Sequence, residues 1–75
     1  MKLIKVEKYC GTTEPRGYHI TGFEPDGTIE INPQYITSIE PNDDVKGFYM
    51  VDMIGNDYYI YVDEKGYKTI KKHMR

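Results

Sequence analysis

Two apolar-rich runs, Lys46 to Ile54 and Asp57 to Asp63, are separated only by the dipeptide Gly55-Asn56. Glycine in the first of two loop positions accepts the positive φ of a type II′ turn, whose twist matches that of the strands it joins. The dipeptide therefore predicts a tight β-hairpin, and a tight hairpin sets a register. Ile54 falls opposite Asp57, Met53 opposite Tyr58, Asp52 opposite Tyr59, Val51 opposite Ile60, Met50 opposite Tyr61 and Tyr49 opposite Val62. Residues opposed across a ladder share a face. Tyr49, Val51, Met53, Tyr58, Ile60 and Val62 then form one apolar surface, the expected core side. The reverse face carries Phe48, Met50, Asp52, Ile54, Asp57, Tyr59, Tyr61 and Asp63, which is too aromatic for an ordinary wet face and too acidic for a core.

The rest of the chain reads mainly as strand. From Lys2 to Tyr9, Ile4 and Val6 alternate with Lys5 and Glu7, the period of a half-buried strand. Gly11 to Gly17, with two glycines and a proline among polar residues, reads as a loop after Cys10, and equally as a mobile site loop. Glu24-Pro25-Asp26-Gly27-Thr28 has hairpin chemistry, predicting a turn between Tyr18–Phe23 and Thr28–Ile31. Asn32-Pro33-Gln34 cannot continue a central strand, because proline lacks the amide donor; a short helical turn there delivers Tyr35 and Ile36 into a strand ending at Glu40. Pro41-Asn42-Asp43-Asp44 is a second breaker and reads as a solvated loop tip.

After Asp63 the period changes. Tyr67, Ile70 and Met74 recur at helical spacing, and Asp63 is placed to cap a short C-terminal helix. Lys65, Lys68, Lys72 and Arg75 lie roughly opposite that apolar stripe. The helix also polarises the charge. Residues 1 to 64 carry 5 basic and 12 acidic side chains, whereas residues 65 to 75 carry 5 basic and none acidic.

The chain is expected to be a single domain over residues 1–75, with one core and no internal disulfide, since Cys10 is its only cysteine. No apolar run approaches a membrane span, and Met1 to Lys5 alternates where a signal peptide would be continuously apolar, so a cytoplasmic location is expected. The expected fold is mainly β, a small curled antiparallel sheet or barrel-like fold of five or six strands with one short C-terminal helix.

Chemistry-bearing residues are sparse. His19 and His73 are too far apart in sequence to suggest a metal site, and no cofactor motif is present. Cys10 and His19 could meet across the loop as nucleophile and base; the stronger reading is a small buried cysteine at a strand end and a half-exposed strand histidine. No catalytic set can be named, and the chain is expected not to be an enzyme.

From Thr28 onward the residues Thr28-Ile29-Glu30-Ile31, Asn32-Pro33-Gln34-Tyr35-Ile36 and Ser38-Ile39-Glu40 are followed by the glycine-centred hairpin, its aromatic second strand and the helix. This order, over residues 28–74, resembles the FlbD-like (SwrD) family of small bacterial flagellar-operon proteins, and also short β-proteins of phages and mobile elements. The resemblance implies a non-enzymatic accessory protein. The expected function is a protein-interaction module, self-association being one form of it, with Phe48, Met50, Tyr59 and Tyr61 as the contact patch. Alternatively, the N-terminal segment or the helix covers those residues. A second candidate role is nucleic-acid binding through Lys65, Lys68, Lys72 and Arg75, with exposed tyrosines available to stack on bases.

Overall fold

Strand β1 (Ile4–Thr13) begins with Ile4 and Val6 buried and Lys5 and Glu7 exposed, the alternation its sequence dictates. It pairs along its length with β2 (Ile20–Ile31). A single 3₁₀ turn (Pro33–Tyr35) leads into β3 (Ile36–Pro41), which pairs antiparallel with β4 (Phe48–Met53). The last strand, β5 (Ile60–Asp63), runs directly into helix α1 (Glu64–His73). This computed structural model describes residues 3–13, 15, 17, 19–55 and 59–74.

The five strands form one antiparallel sheet in the order β2-β1-β5-β4-β3. The mainly β fold with a C-terminal helix is as expected, but the sheet is neither closed nor strongly curled. Its edges, β2 and β3, are not paired with each other. The β1–β2 ribbon is the reason. Ten and twelve residues long, it makes the molecule 43 Å in its longest dimension and 24 by 21 Å in the others, too elongated for a barrel.

Two local readings are corrected by that ribbon. The segment expected as a loop after Cys10 continues β1 to Thr13, and the segment expected as a hairpin at Glu24–Thr28 lies inside β2. Gly27 does take a positive φ of 81°, but it serves a bulge. The register shifts there, from Glu7 opposite Thr28 to Tyr9 opposite Pro25. Asp-Gly chemistry suits either device, because a tight turn and a bulge both need a residue tolerant of φ > 0. Pro25 is tolerated because β2 is an edge strand. The expected strand Tyr18–Phe23 starts at Ile20, and Tyr18 lies outside the described residues.

The hairpin register is as read from the sequence wherever it is described: Val51 pairs with Ile60, Met50 with Tyr61 and Tyr49 with Val62. Gly55 has φ +82°, while the pairings expected of Asp57 and Tyr58 lie outside the described residues. The expected core face is buried at Val51, Met53, Ile60 and Val62. Ile4, Val6, Ile31 and Ile70 complete the core.

Helix α1 covers that face. Its N-cap is Asp63, whose Oδ1 accepts the Gly66 N–H at 2.8 Å, satisfying one of the amides that a helix start leaves without an internal partner. Ile70 is fully buried, the Tyr67 ring stacks on Tyr49 at 3.9 Å, and Met74 packs at the far end. Gly66, unfavourable in a helix by propensity alone, is required by this closeness. A methyl group there would sit 3.0 Å from the Cβ of Val62, a branched and fully buried carbon with no room to move.

The turn before β3 is also built locally. Asn32 Oδ1 accepts from Gln34 N at 3.0 Å, and Pro33 occupies a first-turn position where its missing N–H costs nothing. Among the described residues no helix is long and apolar enough to cross a membrane.

Candidate interaction surface

The second face of the β4–β5 hairpin is partly covered, and the cover comes from the N-terminal ribbon. Tyr9 pairs with Tyr61 across β1 and β5, which places its side chain on the Phe48, Met50 and Tyr61 side. Phe23, opposite Gly11 on β2, reaches the same side as the ribbon bends over. Its ring stacks on Phe48 at 4.4 Å between centroids and meets Tyr61 at 4.8 Å. Tyr9 meets Phe48 edge-on at 5.1 Å, and Tyr59 meets Tyr61 edge-on at 5.5 Å. Edge-on and offset contacts are the geometries that aromatic quadrupoles favour.

The loop between β3 and β4 secures the bent ribbon. Asn42 Oδ1 accepts from the amides of Asp44 and Val45, both at 2.9 Å, holding the loop as an Asx turn. Asp44 Oδ2 then accepts the Ile20 N–H at 3.3 Å, and its Oδ1 lies 3.7 Å from His19 Nδ1. The expected solvated loop tip is thus tied to the start of β2.

The four expected patch residues are not equivalent. Phe48, Met50 and Tyr61 are half-buried, and Tyr59 is 48 % exposed. Phe48 and Tyr61 belong to the ring cluster, whereas Tyr59 caps its solvent end. A shallow cavity of about 210 Å³ opens beside Tyr59, bordered by Lys8, Tyr9, Cys10, Asp26 and Tyr61. Lys8 and Asp26 pair across its rim at 3.1 Å.

No protein-family model, curated protein or solved structure matches this chain.

The cluster is anchored electrostatically at its inner end. Tyr9 donates its hydroxyl proton to Asp63 Oδ2 at 2.8 Å, with Glu7 Oε2 at 3.2 Å. The bond to Asp63, followed by burial and the neighbouring negative charges, pushes the Tyr9 phenol up to about 12. Burial, then the adjoining Tyr59 hydroxyl, pushes Tyr61 up to about 12 as well. Both phenols therefore keep their protons beyond the pH at which an ordinary tyrosine loses its own.

Tyr9 and Phe23 are the members that sequence reasoning missed. Each stands in a stretch that reads correctly as strand, but their arrival beside Phe48 depends on the pairing of β1 with β5, residues about fifty apart in sequence. The stack of Tyr49 on Tyr67 was implicit in the core face and the helix stripe, both of which the sequence shows.

The other candidate residues are placed separately. Lys65, Lys68 and Lys72 are exposed on α1, as is Lys71, and none forms an ion pair among the described residues; Arg75 lies outside them. Cys10 is exposed, contrary to the expected buried strand-end position, because β1 runs on through it and beyond the reach of the core. His19 is exposed in the bend before β2 rather than half-exposed within a strand. Cys10 stands opposite Glu24 while His19 precedes the Thr13–Ile20 rung, so the two are not brought together. Among the described residues no cluster of three His, Cys, Asp or Glu side chains could hold a metal ion.

Proposed function

We propose that this chain is a small non-enzymatic protein-interaction module, engaging its partner at the exposed end of the aromatic face. The observation that carries this reading is Tyr59: a ring 48 % exposed yet braced edge-on against the half-buried Tyr61. A braced aromatic anchor loses little freedom on binding, and interface hot spots are enriched in tyrosine for that reason. Asp52 on the same face and the Lys8–Asp26 pair supply a polar rim, the arrangement typical of interfaces. The resemblance of residues 28–74 to the FlbD-like (SwrD) family, or to β-proteins of phages and mobile elements, agrees with an accessory role in a bacterial cytoplasm. Tyr59→Ser is expected to keep the melting temperature within about 4 °C of the parent, the shift corresponding to less than about 1 kcal/mol in a domain of this size. The same variant should lose partner capture in an affinity pull-down from the native cell. Unchanged capture would remove Tyr59 from the interface.

A second reading, nucleic-acid binding, is favoured by one feature, the row of exposed lysines on α1 without acidic partners among the described residues. Cations near a helix C-terminus are also stabilising through the helix dipole alone, so the test must separate binding from folding. Lys68→Glu combined with Lys72→Glu is expected to shift stability by no more than about 1 kcal/mol, as surface changes do. If these lysines contact phosphates, the double variant binds DNA or RNA more weakly and with a shallower dependence on salt. Absence of salt-dependent binding by the parent at low ionic strength would dismiss this reading.

A further inference from the structure

The two edges of the sheet are built differently. Edge β2 carries exposed Glu24, Asp26 and Glu30, a proline at Pro25 and register shifts on both sides, all devices that discourage another strand from pairing. Edge β3 also has one register shift, between Ile36 and Ser38, and a proline at its end, Pro41, but it carries a single charged residue, Glu40, and its ladder with β4 is regular from Ser38 to Pro41. The rungs show which of its backbone groups are unused. Asn42 N–H donates to the Phe48 carbonyl at 2.8 Å, which makes 42–48 a hydrogen-bonded rung. Bonded and non-bonded rungs alternate in an antiparallel ladder. Glu40 and Ser38 are therefore bonded to β4, while the backbone groups of Ile39 and Pro41 point to the open edge. Pro41 offers only its carbonyl there, which confines a two-way exchange of backbone bonds to Ile39. Ile39 presents both a donor and an acceptor, while its side chain packs inward on the core.

We propose that the β3 edge pairs antiparallel with β3 of a second copy of this chain, two-fold about Ile39, continuing the sheet from one molecule into the next. This deepens the interaction-module reading and rests on it. The symmetry is satisfied chemically: each Ile39 N–H meets the Ile39 carbonyl of the other copy. The adjacent rung sets Glu40 across from Ser38 of the second copy, so no carboxylate faces another. Tyr35 and Ile54, 50 % and 66 % exposed and joined by an Ile54 N–H to Tyr35 carbonyl bond of 2.8 Å, flank the end of the strand. The two-fold carries them toward the 42–47 loop of the second copy, where Tyr35 falls across from Asp43 and Val45 is the one apolar side chain. Six edge residues span only about 20 Å. The pairing therefore falls at the small, transient end of the interface range, below the usual ~800 Å² per partner.

The test is hydrogen exchange by NMR on the parent chain at about 50 μM and about 1 mM, with sedimentation at the same concentrations to follow a weak dimer. The expected result is an Ile39 amide that exchanges freely when dilute and gains protection in step with the dimer fraction, while the Ser38 and Glu40 amides are protected throughout. A chemically synthesised chain with N-methyl-Ile39 keeps the side chain and removes only the outward N–H. It should melt as the parent does and stay monomeric at the higher concentration. Dimerisation without a change at Ile39, dimerisation undiminished by the N-methyl group, a parent that stays monomeric at about 1 mM, or protection of Ile39 already present in the monomer would each overturn the proposal. None of these results touches partner capture through Tyr59, which the serine variant there tests on its own.

Discussion

Replacing Ile70 by alanine is expected to lower stability by about 3 kcal/mol, within the 2–5 kcal/mol that buried isoleucine truncations cost. Ile70 is fully buried and is the one large aliphatic side chain through which the middle of α1 meets the sheet. The helix has only ten residues, too few to persist in water without such packing. Its remaining anchors lie toward its ends: the Asp63 cap, Tyr67 against Tyr49, and Met74. Of these anchors none is fully buried, whereas Ile70 belongs to the same buried cluster as Val51, Ile60 and Val62. A domain of this size loses roughly 4–8 °C of melting temperature per kcal/mol, so a fall of about 15 °C is expected, with helical ellipticity lost in the same transition. Thermal melts followed by circular dichroism measure both, and urea titration gives the free-energy loss. A loss under about 1 kcal/mol would mean that α1 is not seated on the sheet as described.

The second large effect separates neighbours that composition cannot separate. Tyr61→Ser is expected to cost about 2 kcal/mol, whereas Tyr59→Ser costs less than about 1 kcal/mol. Tyr61 is half-buried and touches Phe23 and Tyr59; each aromatic pair contributes about 0.5–1.5 kcal/mol beyond the area it buries. Tyr59 is the outermost ring and, of the described rings, contacts only Tyr61. Because the two share one contact, the double variant should lose less than the sum of the singles, by roughly the strength of that pair. Thermal melts of the three variants are sufficient. Equal costs at the two positions would show that Tyr59 is covered as well, leaving it unable to anchor a partner.

What could be read in advance follows the range of the forces involved. The hairpin register, the Asn32–Pro33 turn and the Asp63 cap are decided by residues within a few positions of one another, and all are found where the sequence places them. The Asp26-Gly27 pair shows where local reasoning stops. A positive φ was legible, but whether the chain reverses or merely bulges depends on whether β1 offers a continuing partner, and Gly11 to Thr13 do so through backbone groups that any residue could supply. Cover of the second face by the N-terminal segment stood in the sequence only as an alternative to an open patch, and for the same reason the residues that supply it could not be named. Phe48 and Tyr61 announce an apolar surface, yet Phe23 reaches them only because a ribbon formed far upstream bends across. Asp63 is intermediate. Its capping role is written in the sequence, whereas its acceptance of the Tyr9 proton appears only once β1 lies beside β5.

The placement of β1 between β2 and β5 also bears on how the chain reaches this state as it is made. The β1–β2 ribbon and the β3–β4 hairpin can each form as soon as their own residues have emerged from a ribosome. Neither can join the other until β5, the last strand, arrives to bridge them. Until then two inner edges stand open, with Val6 and Val51 among the side chains waiting for cover. Closing a loop of some fifty residues before any reward is collected is characteristic of slow, non-local topologies, with folding in milliseconds to seconds rather than microseconds. The nascent chain thus spends its most adhesive interval between the emergence of β4 and that of β5.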